Sequence, residues 1–353
     1  PHLNSLFSPL IQVYQFLTNL TQQISNDPSY GYLAALIIAM VLGLLMLTKG
    51  GDYLSDHSSC IAEALGVPRV GIGLTIVSIA TSAPELFTSI AAIRGQADGL
   101  ILGNIIGSNI ANISLILGLA LLIKPIQTKG AISNNQIVVL LLLTISFCLV
   151  LFLSPTQTLS FEIGVFLLAF ISVYLFWITS RALKKRNSNI IEQELESNGG
   201  ESSNSLAFSS LVILLATLGL WIGSDCLVFG AKNLATLAGI PEELIGFTIL
   251  AIGTSLPELA TSISLVRKAE TEMLLGNIVG SNLFNIGLVG GTAGVLGPVG
   301  SQTPHPWIDY LFLVLITALF CYWLKGRKLQ SKDGILLLTI YLAASLCTWI
   351  WNG

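Results

Sequence analysis

The sequence predicts an all-α polytopic membrane protein, with ten transmembrane helices arranged as two inverted five-helix repeats. Two observations lead to this prediction: an apolar composition with recurring long apolar runs, and an internal duplication. Of the 353 residues, 53% are hydrophobic and only 10% are charged, whereas soluble domains carry roughly 25% charged residues. A chain of this composition is expected to have a lipid bilayer as its solvent.

Ten apolar runs are long enough to cross a ~30 Å hydrocarbon core as helices rising ~1.5 Å per residue. They are centred near 32–49, 70–93, 99–122, 135–154, 160–180, 206–231, 242–266, 272–296, 306–324 and 334–351. The polar stretch 184–205 follows the fifth run and has the Gly/Ser-rich, charged composition of a linker. We therefore predict four parts: an N-terminal amphipathic segment 1–30, a first repeat 31–183, the linker 184–205 and a second repeat 206–353.

The linker also carries four glutamates, which could alternatively bind a regulatory ion, although they lack the spaced ligand order of known calcium loops. These are Glu192, Glu194, Glu196 and Glu201. Lysine and arginine prefer cytoplasmic loops, and with ten spans all of these residues except Arg94 and Lys232 fall on one side. The linker is therefore expected in the cytoplasm and both termini on the opposite side.

The internal duplication appears when the chain is shifted by 173 residues against itself. Residues 67–118 then align with 240–291 without a gap, and 26 of the 52 positions are identical. Asp52 also aligns with Asp225, which extends the repeat unit over the preceding span. A unit of five spans reverses direction, so the two copies are expected to run antiparallel in the membrane, as in many secondary transporters.

Each repeat carries one glutamate inside an apolar run, Glu85 and Glu258. A charge at that depth costs from a few to over ten kcal/mol. Arg94 and Arg267 follow nine positions later, about 13 Å along a helix at ~1.5 Å per residue. A bound cation is therefore the expected compensation for each carboxylate.

A proline precedes each glutamate in the motif T-S-x-P-E. Because proline lacks a backbone donor and clashes with the carbonyl four residues earlier, we expect the helix to open and to free carbonyl oxygens near 78–81 and 251–254. Nearby hydroxyls add further oxygen ligands, which Ca²⁺ and Na⁺ both prefer. These hydroxyls belong to Thr81, Ser82, Thr254 and Ser255.

The next span of each repeat contains G-N-I-x-G-S-N-x-x-N. Its Ser108 and Asn112, and likewise Ser281 and Asn285, lie four residues apart and share one helix face. We expect a helical hairpin to bring this face opposite the T-S-x-P-E break, and the glycines of the motif to permit close packing. The other asparagines are interpreted as packing residues: Asn104, Asn109, Asn277 and Asn282.

The paired motifs TSAPELFTS with GNIIGSNIAN, and GTSLPELATS with GNIVGSNLFN, resemble the alpha repeats of the cation/calcium exchanger superfamily, in particular its prokaryotic-type sodium/calcium exchangers. The resemblance covers nearly the whole chain. It implies ten helices in two inverted halves, with the second, third, seventh and eighth helices forming a central four-helix bundle around the ion site.

The resemblance also implies roles for individual residues. Glu85 and Glu258 would be central ligands shared by calcium and sodium, and Thr81 and Thr254 would bind calcium through their carbonyls. Asn112 and Asn285 would line the middle of the site. The implied flanking sodium ligands are the carbonyls of Ser78 and Ala251 together with Ser82, Ser108, Thr254, Ser255 and Ser281.

We therefore predict a secondary transporter, not an enzyme, that exchanges sodium for calcium by alternating access; its partners are these two ions and the bilayer, with no cofactor and no nucleic acid. A monomer is the simplest expectation. Proton-coupled members of the superfamily typically carry an acidic residue where this chain has Gly107 and Gly280, and potassium-dependent relatives carry aspartate in place of Asn285. A calcium/proton antiporter and a carboxylate-lined channel remain as alternatives.

The first and sixth spans are expected to be the moving part. They carry Gly43, Gly50, Gly51, Gly219, Gly223 and Gly230.

Overall fold

A computed structural model describes residues 30–64, 78–154, 158–193, 203–301 and 303–352. Almost the whole of the predicted N-terminal segment 1–30 lies outside these residues. The helices are α1 Tyr30–Ala64, α2 Ser78–Thr81, α3 Ala83–Arg94, α4 Asp98–Ile123, α5 Asn134–Leu153, α6 Phe161–Gln193, α7 Ser203–Ala238, α8 Glu242–Thr254, α9 Leu256–Arg267, α10 Thr271–Leu296, α11 Trp307–Trp323 and α12 Ser331–Asn352.

The described part of the chain is all-helical apart from four two-residue strands, and it contains seven helices long and apolar enough to cross a membrane. The bent pair α8 and α9 makes an eighth candidate span, and α11 is a shorter apolar helix. The second predicted run is described only from Ser78 onward. The molecule is thus an all-helical, polytopic membrane protein, and the count of ten spans stays a prediction.

The predicted linker 184–205 is partly helical. Helix α6 continues to Gln193 and α7 begins at Ser203, which agrees with the absence of Gly and Pro from residues 184–193. Glu194, Glu196 and Glu201 lie outside the described residues.

Helices α4 and α10 form the centre of the molecule. In their most apolar windows, 83% and 89% of the residues are buried, against 17% in α6 and 28% in α1 and α12. The peripheral helices turn large apolar side chains outward, such as Phe166, Val173 and Phe176 on α6. Because such a surface is unfavourable in water, the peripheral ring is the part that faces lipid.

Glycines bring α4 unusually close to α8. A Cβ placed on Gly103 would lie 2.2 Å from the Glu243 carbonyl oxygen, and one on Gly107 would lie 2.4 Å from the Phe247 carbonyl oxygen. On the opposite helix, a Cβ on Gly246 would lie 2.5 Å from the Leu100 carbonyl oxygen. The close packing predicted for Gly103 and Gly107 is confirmed, and it joins the first repeat to the second.

Helices α1 and α7 pack against each other along much of their length. A Cβ on Gly43 would lie 2.6 Å from the Gly223 carbonyl oxygen, and one on Gly230 would lie 2.9 Å from the Leu36 carbonyl oxygen. Further along α1, a Cβ on Gly51 would lie 3.3 Å from the Pro257 side chain. The pair therefore forms one tightly packed unit that contacts a proline of the central motifs.

Two short antiparallel strand pairs also join the repeats. Strand β1 (Ile126–Gln127) follows α4 and pairs with β4 (Lys328–Leu329) before α12. Strand β2 (Thr158–Leu159) pairs with β3 (Val299–Gly300) after α10. Because β1 precedes α5 and β2 follows it, the two pairs lie at opposite ends of the helix layer, and each contains one strand from each repeat.

Candidate ion-binding site

Both T-S-x-P-E motifs break the helix at the serine. Ser82 has φ −84° and ψ 3°, and Ser255 has φ −84° and ψ 9°. The proline then occupies the first turn of the following helix, where its missing N–H costs nothing, and the axis bends by 43° between α8 and α9. Each glutamate consequently lies in the first turn of a new helix, whose N-terminal dipole stabilises a carboxylate.

The carbonyls before the break differ in part from the prediction. The Ser78 and Ala251 carbonyls are not freed, because each accepts the backbone N–H four residues later, from Ser82 at 3.1 Å and from Ser255 at 3.2 Å. The helix therefore stays hydrogen-bonded up to the serine, and the first carbonyl of each expected range is not freed. The carbonyl two residues later lies opposite the proline, which has no N–H to donate to it. A carbonyl oxygen has a second lone pair, so both carbonyls can still accept a further ligand.

The two glutamates are bound crosswise by the opposite repeat. The Ser82 hydroxyl donates to Oε1 of Glu258 at 3.3 Å, and the Ser255 hydroxyl donates to Oε1 of Glu85 at 3.0 Å. Both carboxylates are buried, with 1% and 2% of their surface exposed, and they interact electrostatically with each other. Oε2 of each has no hydrogen-bond partner among the described residues, so two buried carboxylate oxygens remain for a cation.

Asn112 and Asn285 lie on turns of π-helix, Ala111–Ile116 in α4 and Asn285–Gly290 in α10. The first turn packs against α9, which carries Glu258, and the second packs against α3, which carries Glu85. Both amide groups are buried, and within the described part of the chain neither their oxygen nor their nitrogen has a hydrogen-bond partner. Buried polar atoms without partners cost free energy, and an ion among them would remove that cost.

The remaining predicted ligands line the same interior. The Ser108 hydroxyl lies 3.5 Å from the Ala251 carbonyl oxygen, and the Thr81 hydroxyl donates to the Ser78 carbonyl oxygen at 3.4 Å. The Ser281 hydroxyl is buried and has no hydrogen-bond partner in the described ranges. All twelve predicted ligand residues have at most 3% of their surface exposed. The hydrogen bonds that these motif side chains make outside their own helix join one repeat to the other. From the sequence, the two motifs of the same repeat were expected to face each other.

Two asparagines interpreted as packing residues also take part. The Thr254 hydroxyl donates to Oδ1 of Asn104 at 3.2 Å, and the Ser78 hydroxyl donates to Oδ1 of Asn277 at 3.3 Å. A sequence signal for both exists, because Asn104 precedes Ser108 by four residues and Asn277 precedes Ser281 by four. The polar face of each helix is therefore one turn longer than the pair of residues from which it was predicted.

No basic side chain neutralises this site within the part of the chain that the structure describes. The two ion pairs there are Arg94–Asp225 and Arg327–Asp333, and neither involves a site residue. The described residues also contain no group of three or more His, Cys, Asp or Glu side chains suited to a metal ion. The site thus combines two carboxylates with neutral oxygen donors, a set suited to Na⁺ or Ca²⁺ and poorly suited to thiophilic metals.

An ion pair outside the site joins α3 to α7. The Arg94 guanidinium donates to both Asp225 oxygens at 3.2 and 3.3 Å and lies 5.1 Å from the centre of the Trp221 ring. Eleven residues after Trp221 on α7, about three helical turns, the Lys232 ammonium donates to the Gly95 carbonyl at 2.5 Å. These contacts border a cavity of about 440 Å³ between the two helices.

A family model described as sodium/calcium exchanger protein matches residues 35–180 and 208–350. The chain belongs to this family. It is 32% identical to the sodium/calcium exchanger MaX1 of Methanosarcina acetivorans over 343 residues, covering 87% of this chain and 96% of the relative. It is 33% identical to the inner membrane protein YrbG of Escherichia coli over 315 residues, covering 88% of this chain and 94% of the relative.

A solved structure of the sodium-calcium exchanger NCX_Mj, soaked with Na⁺ and Sr²⁺, superimposes with a TM-score of 0.63 at 31% identity. The superposition covers 88% of this chain and 98% of that protein. This member of the sodium/calcium exchanger family is therefore an integral, multi-pass membrane protein of the cation/calcium exchanger class. It is a transporter and not an enzyme, as predicted. Exchangers of this family carry transported ions and use no cofactor, which agrees with the prediction of no cofactor.

Proposed function

We propose that the chain exchanges sodium for calcium across a membrane by alternating access, with both ions bound among the T-S-x-P-E and G-N-I-x-G-S-N-x-x-N motifs. Sodium and calcium would compete, because they would share the carboxylates of Glu85 and Glu258. NCX_Mj and MaX1 bear the name sodium/calcium exchanger, which supports the choice of ions. Glycine at 107 and 280, where proton-coupled relatives typically carry an acidic residue, supports sodium over protons.

The observation that carries this proposal is the pair of crosswise serine–glutamate bonds. Each carboxylate has one oxygen held by the opposite repeat and one without a partner, in an interior with no basic side chain among the described residues. Two such charges close together repel each other strongly at low dielectric. One Ca²⁺ neutralises both, whereas sodium must enter in numbers to do the same.

The proposed ligands follow the predicted roles. The carbonyls of Thr81 and Thr254 complete the calcium site around the two glutamates, and Asn112 and Asn285 line its middle. The flanking sodium positions use the carbonyls of Ser78 and Ala251 with Ser82, Ser108, Thr254, Ser255 and Ser281. Because Asn285 is neutral, the site carries two negative charges and no third carboxylate.

The proposal includes the ten-helix architecture in two inverted halves, 31–183 and 206–353, with the linker 184–205 in the cytoplasm and both termini on the other side. The packed pair α1 and α7 would be the moving unit, sliding past Pro257 and its counterpart Pro84. Exchange follows if the loaded site can reorient and the empty, doubly negative site cannot, because moving bare charge through a low-dielectric interior is costly.

The test is ⁴⁵Ca uptake into proteoliposomes loaded with sodium and diluted into sodium-free medium. The variant Glu258→Gln should abolish uptake, because it removes one of two charges that neutralise calcium. The matched control is Glu162→Gln, which changes an exposed glutamate at the start of α6 and should transport like the parent.

Liposomes with equal sodium on both sides, and liposomes with a pH gradient alone, complete the experiment. Uptake under the sodium gradient only would establish the proposal. Uptake driven by the pH gradient alone would make the protein a calcium/proton antiporter, and calcium flux without any counter-ion would indicate a channel. No calcium flux in any condition would refute the choice of calcium.

A further inference from the structure

The asparagines of α4 and α10 fall into two kinds. Asn109 and Asn282 each donate from Nδ2 to a carbonyl of their own helix, Ile105 and Ile278, at 2.7 Å. Asn104 makes its bonds elsewhere: its Oδ1 accepts the Thr254 hydroxyl at 3.2 Å from the opposite repeat. Its counterpart Asn277 accepts a hydroxyl across the repeats in the same way.

The two kinds face different directions, since five residues separate Asn104 from Asn109 and five residues are about 140° around a helix. Asn104 instead shares a helix face with Ser108 and Asn112, which follow it by one and two helical turns. This face lines the proposed site. Asn104 is fully buried, and its Nδ2 has no hydrogen-bond partner among the residues that the structure describes. A packing role explains the burial of Asn104, but it does not explain why its Oδ1 accepts hydrogen bonds from the hydroxyls of two predicted ion ligands.

A hydroxyl oxygen binds a cation through its lone pairs, so its O–H must point away from the cation and donate to another acceptor. Ser108 illustrates the requirement. Its Oγ lies 3.5 Å from the Ala251 carbonyl oxygen and 3.5 Å from Oδ1 of Asn104. A cation bound to the Ala251 carbonyl would displace that proton, and the Asn104 oxygen is the neighbouring acceptor able to take it.

We propose that Asn104 and Asn277 are positioning residues of the ion site. Their amide oxygens accept hydrogen bonds from the hydroxyls of Thr254, Ser108 and Ser78, so that the lone pairs of these hydroxyl oxygens face the cation. An amide does this without adding charge, whereas aspartate would add a third carboxylate beside Glu85 and Glu258. The inference rests on the proposed function, because it assumes that cations bind there.

The test compares Asn104→Leu, which removes the acceptor, with Asn109→Leu, which changes an equally buried asparagine of the same helix. Sodium and calcium affinities of the purified protein are measured at equilibrium by isothermal titration calorimetry, and ⁴⁵Ca uptake is measured beside them. We expect Asn104→Leu to weaken sodium binding about 5- to 20-fold, the effect of one lost buried hydrogen bond, and Asn109→Leu to bind like the parent.

Thr254→Val removes the donor with almost no change of shape and keeps the Thr254 carbonyl. If Asn104 acts through this hydroxyl, the double variant Asn104→Leu/Thr254→Val binds sodium no more weakly than the worse single variant. If Asn104→Leu does not fold, the smaller Asn104→Ala, which also removes the acceptor, must show the same 5- to 20-fold loss. Asn104→Asp should regain the acceptor and tighten calcium binding relative to Asn104→Leu.

Parent-like sodium affinity in Asn104→Leu or Thr254→Val, or additive losses in the double variant, would overturn the positioning role while leaving the exchanger intact. A parent protein that binds neither ion would overturn the exchanger and the positioning role together.

Discussion

Replacing Gly103 with alanine should separate the two repeats at the ion site. The new Cβ would lie 2.2 Å from the Glu243 carbonyl oxygen, 2.7 Å from the Phe247 nitrogen and 3.0 Å from the Gly246 carbonyl carbon. All three are backbone atoms, so no side chain can rotate away. Helices α4 and α8 must therefore move apart by about 1 Å before these contacts become ordinary van der Waals contacts.

Overpacking of this kind costs ~1–3 kcal/mol, and removing glycine from a helix returns only ~0.5–1 kcal/mol. We expect a net loss of stability of up to about 2.5 kcal/mol by these magnitudes. The bonds Thr254–Asn104 and Ser108–Ala251 span the same two helices at 3.2 and 3.5 Å. A separation of ~1 Å takes both beyond hydrogen-bonding range, so calcium uptake should fall further than stability does.

The assay is the melting temperature in detergent, with and without calcium, beside ⁴⁵Ca uptake. Gly219→Ala is the matched control, because a Cβ on Gly219 would meet no atom of another described element within 4 Å, and this variant should melt at the parental temperature or above. A Gly103→Ala variant that melts and transports like the parent would refute the close approach of α4 and α8, and with it the geometry of the site.

Three further outcomes are expected. Arg94→Gln breaks a half-exposed ion pair between α3 and the proposed moving helix α7, worth ~0.5–1 kcal/mol. Its loss should change the free-energy difference between the two access states, so the ratio of half-saturating calcium concentrations at the two membrane faces should shift two- to five-fold, and less at high salt. The same shift in Arg267→Gln would contradict this. Ser82→Ala and Ser255→Ala each remove a donor to a buried carboxylate, worth ~1.5–3 kcal/mol, and should weaken ion binding at least tenfold in titration calorimetry, while Ser172→Ala, on a lipid-facing helix, should not. Exchanging all four linker glutamates for glutamine should leave the calcium dependence of uptake unchanged, and a lost activation by calcium would identify the linker as a regulatory site.

The helices, the breaks and the two glutamates could be read from the sequence because each follows from local chemistry. Long apolar runs predict spans, proline predicts a break within a residue or two, and a carboxylate in an apolar run predicts a compensating partner. The close packing of Gly103 and Gly107 was predictable for a similar reason, since small residues four apart form one smooth helix face.

The partners of the polar side chains could not be read in this way, because they depend on how the repeats face each other. Each motif fits a hairpin within its own repeat, yet Ser82 reaches Glu258 and Ser255 reaches Glu85. The hydrogen bonds to the Ser78 and Ala251 carbonyls were missed because the opening was expected over the whole ranges 78–81 and 251–254. Each of these carbonyls lies six residues before the proline, so its partner is the serine N–H and not the position that proline occupies.

The two repeats are not equivalent, and their differences bear on transport. Position 78 is serine where its counterpart is Ala251, so Asn277 accepts a hydroxyl that has no equivalent in the other half. Likewise Arg94 pairs with Asp225, while no ion pair between described residues includes Arg267 or Asp52. Two identical inverted halves would make the inward- and outward-facing states equal in free energy. Each unmatched contact moves that balance, and ~1.4 kcal/mol is enough for a tenfold preference. In the proposed exchanger, the sequence differences between the halves, and not the shared motifs, would therefore set which face the loaded site prefers.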